Sequence, residues 1–218
     1  MLLLAFDTAT PAVTAAVHDG STVLAETDQV DARRHGELLI PAIDRVLREA
    51  GVDRHRLTDI AVGVGPGPYT GLRVGLVTAA ALGHALGLPV HGVCTLDAIA
   101  HAARAEGLAG EAFTVATDAR RKEVYWAAYD AEGRRTEGPS VDRPGELTPP
   151  ARSVGAGALL YPDTFPGAHG PEHVPAGALA AFAAAELAAG RALLPNAPLY
   201  LRRPDAQVPA GYKAVLPA

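Results

Sequence analysis

Asp7-Thr8-Ala9-Thr10 places a carboxylate and two hydroxyls at the end of a short apolar run, Leu2–Phe6. An acid and hydroxyls at a strand end are groups that can hold a phosphate or the metal that travels with it. The same residues also make an ordinary Asp/Thr turn, so the motif alone leaves both uses open. A second segment, Gly65-Pro66-Gly67-Pro68-Tyr69-Thr70-Gly71, mixes residues that permit close backbone approach with residues that stiffen a turn. Thr70 can cap the helix that follows, and the free N–H groups of that helix face whatever lies beside the loop. Asp7, Thr8, Gly65, Gly67 and Thr70 are therefore the candidate lining of a nucleotide-like pocket. The alternative is a tight strand-to-helix connection, favoured by the absence of a Walker-type lysine. On either reading Asp7→Ala is expected to leave folding almost untouched.

Other chemistries find less support. Cys94 is the single cysteine, so no internal disulfide or cysteine-based zinc site is possible. It ends a short apolar run, where a buried inert thiol is expected. His35 opens the first helix, but the position one turn on is Leu39, so the paired imidazoles of a helical metal site are missing there. His35 is expected at a cap or on the surface rather than as a ligand. No G-x-S-x-G occurs. Neither a metal nor a cofactor is expected. Asp118-Ala119-Arg120-Arg121-Lys122-Glu123 carries three consecutive cations, which suit either RNA phosphates or a solvated hairpin tip.

The elements that position these residues follow from periodicity. Leu2–Phe6, Val13–Val17 and Val23–Val30 read as an antiparallel meander, with Asp19-Gly20 as a hairpin turn. From His35 to Ala50 apolar residues recur at helical spacing, and Gly51 stops the helix. A strand over Asp59–Val64, a helix over Gly71–Leu86, a strand over Pro89–Val93 and a helix over Thr95–Ala105 follow. The first lobe thus reads β-β-β-α-β-α-β-α. Further on, Phe113–Thr117 and Glu123–Tyr129 read as strands, 133–150 as loop, Gly177–Ala189 as a helix, and the tail from Pro195 as mostly extended. A boundary near Glu106 is expected to divide a lobe of residues 1–106, carrying the partner interface, from a smaller lobe of residues 107–218, with a C-terminal helix that can pack back onto the first.

The second helix is apolar nearly all round. Gly71, Gly75, Ala79 and Gly83 form one smooth face, with Leu72, Leu76 and Leu82 elsewhere. Such a helix is either buried within one chain or covered by a partner, and the second is favoured because large apolar patches are rare on monomers. His35, Leu38, Leu39, Ile43, Leu72, Arg73, Leu76 and Ala80 are the candidate interface, with Leu39, Ile43, Leu72 and Leu76 as anchors.

The chain has 218 residues, 19 Lys+Arg against 24 Asp+Glu and a formal net charge of -5. A chain of this charge binds nucleic acid only through a local basic patch or a partner. No apolar run is long enough to span a membrane, and the N-terminus reads as a strand rather than a signal peptide, so a cytoplasmic protein is expected.

The order of elements resembles the duplicated domain shared by actin, Hsp70 and the sugar and acetate kinases, an α/β fold whose first hairpin carries a phosphate-binding Asp; here the second lobe is reduced. Gly65-Pro66-Gly67-Pro68-Tyr69-Thr70-Gly71-Leu72-Arg73-Val74-Gly75 is similar to the GPGSFTGLRIG segment of the TsaB (YeaZ) family. His35 with Leu38-Leu39-Ile40-Pro41, Gly92-Val93-Cys94-Thr95-Leu96, Asp118 to Tyr125, and Pro198-Leu199-Tyr200-Leu201-Arg202 match that family as well. The resemblance implies a non-catalytic scaffold subunit that supports a TsaD-type catalytic subunit in threonylcarbamoyl transfer to N6 of adenosine 37 of tRNA. A TsaE-type ATPase would join the pair, tRNA would be reached only through the complex, and the chain alone would form a homodimer. The alternative reading is an independent ATP-dependent kinase or ATPase of the same fold. It would need an adenosine site in the second lobe, for which Gly155-Ala156-Gly157-Ala158 is the one candidate.

Overall fold

The computed structural model describes residues 1–202. Strands β1 (Leu3–Asp7), β2 (Ala12–His18) and β3 (Val23–Val30) form the antiparallel meander, followed by helix α1 (His35–Glu49). Strand β4 (Asp59–Gly63), helix α2 (Tyr69–Leu86), strand β5 (Val90–Val93) and helix α3 (Thr95–Ala103) complete the first β-β-β-α-β-α-β-α unit. The sheet order is β3-β2-β1-β4-β5, antiparallel among the first three strands and parallel from β1 through β4 to β5.

Every residue of β1 and β2 is buried. Strands buried on both faces are nearly continuous apolar runs, and the period of two sorts their side chains between two cores. Leu4, Phe6, Val13, Ala15 and Val17 face α1 and α2, packing with Leu39, Ile43, Val46, Leu72 and Leu76. Leu3 and Ala5 face the other way, toward α3 and α5 (Ala176–Ala188). Helix α5 packs on β1, β2 and β3, and its Gly177 N–H donates to Glu26 Oε1 at 2.9 Å.

A second sheet, ordered β8-β7-β6-β9, contains β6 (Phe113–Asp118), β7 (Val124–Tyr129), β8 (Arg135–Asp142) and β9 (Ser153–Val154). The short helix α4 (Ala156–Leu160) follows. Strand β8 lies in a stretch expected to be loop. It is an edge strand, largely open to solvent, so it lacks the apolar alternation that marks a half-buried strand. Its Gly138-Pro139 falls where the pairing with β7 shifts register, one of the places a sheet tolerates proline. Helix α3 ends at Ala103, two residues earlier than expected, and a wider turn over Arg104–Leu108 leads on through Gly107 at φ 125°. Asp97 fastens α3 to the second sheet, accepting from the Tyr129 hydroxyl at 2.8 Å and from Arg135 at 3.1 and 3.2 Å. Of the extended tail, residues beyond Arg202 lie outside the described residues.

Candidate functional site

Asp7 ends β1 and is completely buried. Its Oδ1 accepts the Ala9 N–H at 2.7 Å, and its Oδ2 accepts the Thr95 hydroxyl at 2.8 Å. Thr95 closes the arrangement: its Oγ1 accepts the Gly65 N–H at 3.2 Å, and its own N–H donates to the Gly65 carbonyl at 2.8 Å. Gly63 lies directly against the carboxylate, where a Cβ would overlap Asp7 Oδ2.

Thr8 does equivalent work on the next residue. Its hydroxyl donates to the Gly71 carbonyl at 2.8 Å and accepts the Gly75 N–H at 3.0 Å, so it is inserted into one rung of the α2 ladder. A Cβ at Gly71 would stand 2.5 Å from the Thr8 carbonyl oxygen and one at Gly75 would stand 2.6 Å from Thr8 Oγ1. A Cβ at Gly67 would collide with the Ala9 carbonyl. The glycines at 67, 71 and 75 therefore let the turn after β1 touch the loop and helix backbone. His35, expected at a cap or on the surface, is buried instead, and its Nε2 donates to the Thr10 carbonyl at 2.8 Å. Three elements converge on four residues, 7–10, and bury them.

This geometry corrects the pocket expected from the sequence. Asp7, Thr8, Gly65 and Gly67 are buried and Thr70 is exposed. The first four sit together where β1, α2 and α3 meet, Asp7 bonded to Ala9 and Thr95, Thr8 to Gly71 and Gly75, and Gly65 to Thr95. A cleft of about 280 Å³ opens beside them, and Thr8 and Thr70 of the expected set line it together with Thr10, His35, Gly71 and Arg120. Thr95 and Gly63 were missed in the sequence; the available signal was a hydroxyl directly after a strand that follows the glycine loop. Also passed over were His169 and His173, which stand four apart, but on a non-helical segment broken by Gly170-Pro171. Among the described residues no three His, Cys, Asp or Glu side chains converge. Cys94 is buried, and burial pushes its thiol up to about 12.

Burial also raises the Asp7 carboxyl above its ordinary 3.8, against hydrogen bonds from Thr95, Ala9 and Thr10 that lower it. The folded chain therefore holds this proton to higher pH than the unfolded chain does. Stability falls as pH climbs from 3.8 through the raised folded value, because the native state binds more protons there. Asp7→Asn removes the titration and should gain on the parent protein as pH rises above 3.8, as read from urea midpoints at a series of pH values. Asp7→Ala strands the Ala9 N–H and the Thr95 hydroxyl in the interior and should cost about 3 kcal/mol of unfolding free energy. That reverses the expectation of an almost silent substitution.

The interface anchors need the same correction. Leu39, Ile43, Leu72 and Leu76 are 1%, 5%, 0% and 7% exposed and belong to the core on the α1/α2 face of the sheet. The largest apolar side chains face the sheet because that is where their area can be removed from water. Leu38 is half-buried, while Arg73 and Ala80 remain exposed. The apolar side chains left outside are Ile40 on α1, 54% exposed, and Val77 on α2, 67% exposed. Ala80 and Ala81 extend the Val77 row.

A β3-β2-β1-β4-β5 sheet with helices on both faces and an acid at the end of the first strand defines a protein of the actin/Hsp70/sugar-kinase class. Known proteins narrow this. The model of the family described as TsaD, tRNA N6-adenosine threonylcarbamoyltransferase, matches residues 22–164. A tRNA threonylcarbamoyladenosine biosynthesis protein TsaB from Escherichia coli (strain K12) is 33% identical over 174 residues, covering 75% of this chain and 74% of the relative. An uncharacterized protein of Mycobacterium tuberculosis (strain ATCC 25618 / H37Rv) is 47% identical over 211 residues, covering 94% and 93%. YeaZ from Pseudomonas aeruginosa superposes with a TM-score of 0.80 at 30% identity, over 92% of this chain and 99% of that one. The chain belongs to the TsaB (YeaZ) family.

Proposed function

We propose that this protein is a non-catalytic scaffold subunit acting in the biosynthesis of threonylcarbamoyladenosine in tRNA. It binds a TsaD-type catalytic subunit through the exposed faces of α1 and α2 and supports transfer of the threonylcarbamoyl group to N6 of adenosine 37. A TsaE-type ATPase joins the pair, and without partners the chain pairs with a second copy through the same helices. Family membership supports the pathway. The observation that carries the scaffold role is the row Val77, Ala80 and Ala81 on α2, with Ile40 on α1, apolar side chains left in water on two helices that pack together.

The Asp7 lock weighs against the kinase or ATPase alternative. A carboxylate that is fully buried and bonded to Ala9 and Thr95 has no free face for a phosphate or its metal. Mixing the protein with its cognate TsaD-type subunit is expected to give a co-eluting complex. Threonylcarbamoyl transfer to tRNA by that subunit should require this chain. Turnover of Mg-ATP with a small acceptor by the chain alone would establish the enzyme reading instead.

A further inference from the structure

Three sequence segments that the scaffold role leaves unexplained meet at one place. The β6–β7 turn carries Arg120, Arg121 and Lys122 with φ of 62°, 57° and 62°. Three consecutive non-glycine residues in the left-handed region are rare, and such strain concentrates at functional sites. The turn is held from within: Asp118 Oδ1 accepts the Arg120 N–H at 2.7 Å, and the Glu123 N–H donates to the Arg120 carbonyl at 3.0 Å. All three cationic residues are exposed. The segment ending at Arg202 crosses to this turn. Arg202 donates to the Ala119 carbonyl at 3.0 Å and pairs with Glu123, while its own carbonyl accepts the Tyr69 hydroxyl at 2.6 Å. Tyr69 packs on Tyr200 with ring centroids 4.6 Å apart, and Arg73 lies over both rings and donates to the Tyr200 hydroxyl at 3.0 Å. The result, among the described residues, is a cluster of five cationic side chains, Arg73, Arg120, Arg121, Lys122 and Arg202, around two tyrosines, in which Asp118 pairs with Arg120 and Glu123 with Arg202.

We infer that this patch contacts the phosphate backbone of tRNA directly. A local excess of positive charge on a chain of net charge -5 is the footprint such contact requires. Its position adds a second argument. Arg73 lies one turn before Val77 on the exposed row of α2, so the patch borders the face assigned to the catalytic subunit. RNA held by that subunit would pass beside it. The inference rests on the scaffold reading, and it replaces the expectation that tRNA is reached only through other subunits.

The test is the triple variant Arg120→Asn, Arg121→Asn, Lys122→Asn, since asparagine tolerates the left-handed backbone. It is compared with the parent protein in complex with the catalytic subunit, using an unmodified tRNA transcript. Co-elution with the catalytic subunit should persist. Affinity for tRNA should fall about tenfold near 0.1 M salt, and the slope of log affinity against log salt should flatten by about two. Unchanged affinity and slope would overturn the inference. So would loss of catalytic-subunit binding, which would make the patch a protein contact. Failure of the parent pair to form would instead strike down the scaffold reading, and this inference with it.

Discussion

Val77→Glu is expected to abolish both self-association and binding to the TsaD-type subunit while leaving the fold intact. Val77 is 67% exposed, so in the free chain the new carboxylate sits in water and unfolding free energy should change by no more than about 0.5 kcal/mol. In a complex that covers this face, the charge is desolvated without a partner. Such a defect costs about 3–5 kcal/mol, roughly a hundredfold to several thousandfold in affinity. Ile40→Glu, on the neighbouring helix, should act in the same direction. Leu76→Glu would not discriminate, because Leu76 is part of the core and its replacement unfolds the protein whatever binds outside. Circular dichroism, sedimentation and pull-down together read the outcome. A Val77→Glu protein that still pairs and still binds would move the interface away from α2.

Gly63→Ala should destabilise the protein by about 3 kcal/mol or more, an unusually large effect for one added methyl. Gly63 pairs with Val93 in the sheet, and its missing side chain is the space that the Asp7 carboxylate occupies. Neither side can yield easily. Asp7 is tied to Ala9 and Thr95, and the β4 backbone is fixed between β1 and β5. The cause can be isolated with a double-mutant cycle. Asp7→Ala combined with Gly63→Ala removes the overlap, so the pair should be less destabilised than the two single losses added together. Simple additivity in urea unfolding would show that the methyl meets something other than the carboxylate.

Much of the first lobe was legible in the residues alone. Local pattern marks the meander, α1, α2 and the parallel strands, because alternation and helical spacing are properties of short windows. The glycine loop and Asp7 could be singled out, and the family resemblance they carry holds. Strand β8 was not legible, since a solvent-facing edge strand is specified by its hydrogen bonds to β7 rather than by its own side chains. Leu39, Ile43, Leu72 and Leu76 were identified correctly as large and apolar, but a periodic pattern cannot say which side of a helix meets its own sheet and which meets a partner. Packing decided that, leaving Ile40 and Val77 outside. Tertiary structure also decided that Asp7 is sealed in the interior while Thr8 and Thr70 line a cleft, because the backbone of α2 and the hydroxyl of Thr95 reach Thr8 and Asp7 from 63 and 88 residues away. The convergence of Tyr69, Arg120 and Arg202 has the same origin: residues far apart along the chain become neighbours only when two sheets and the segment from Leu194 to Arg202 are brought together, and no local spacing encodes that contact.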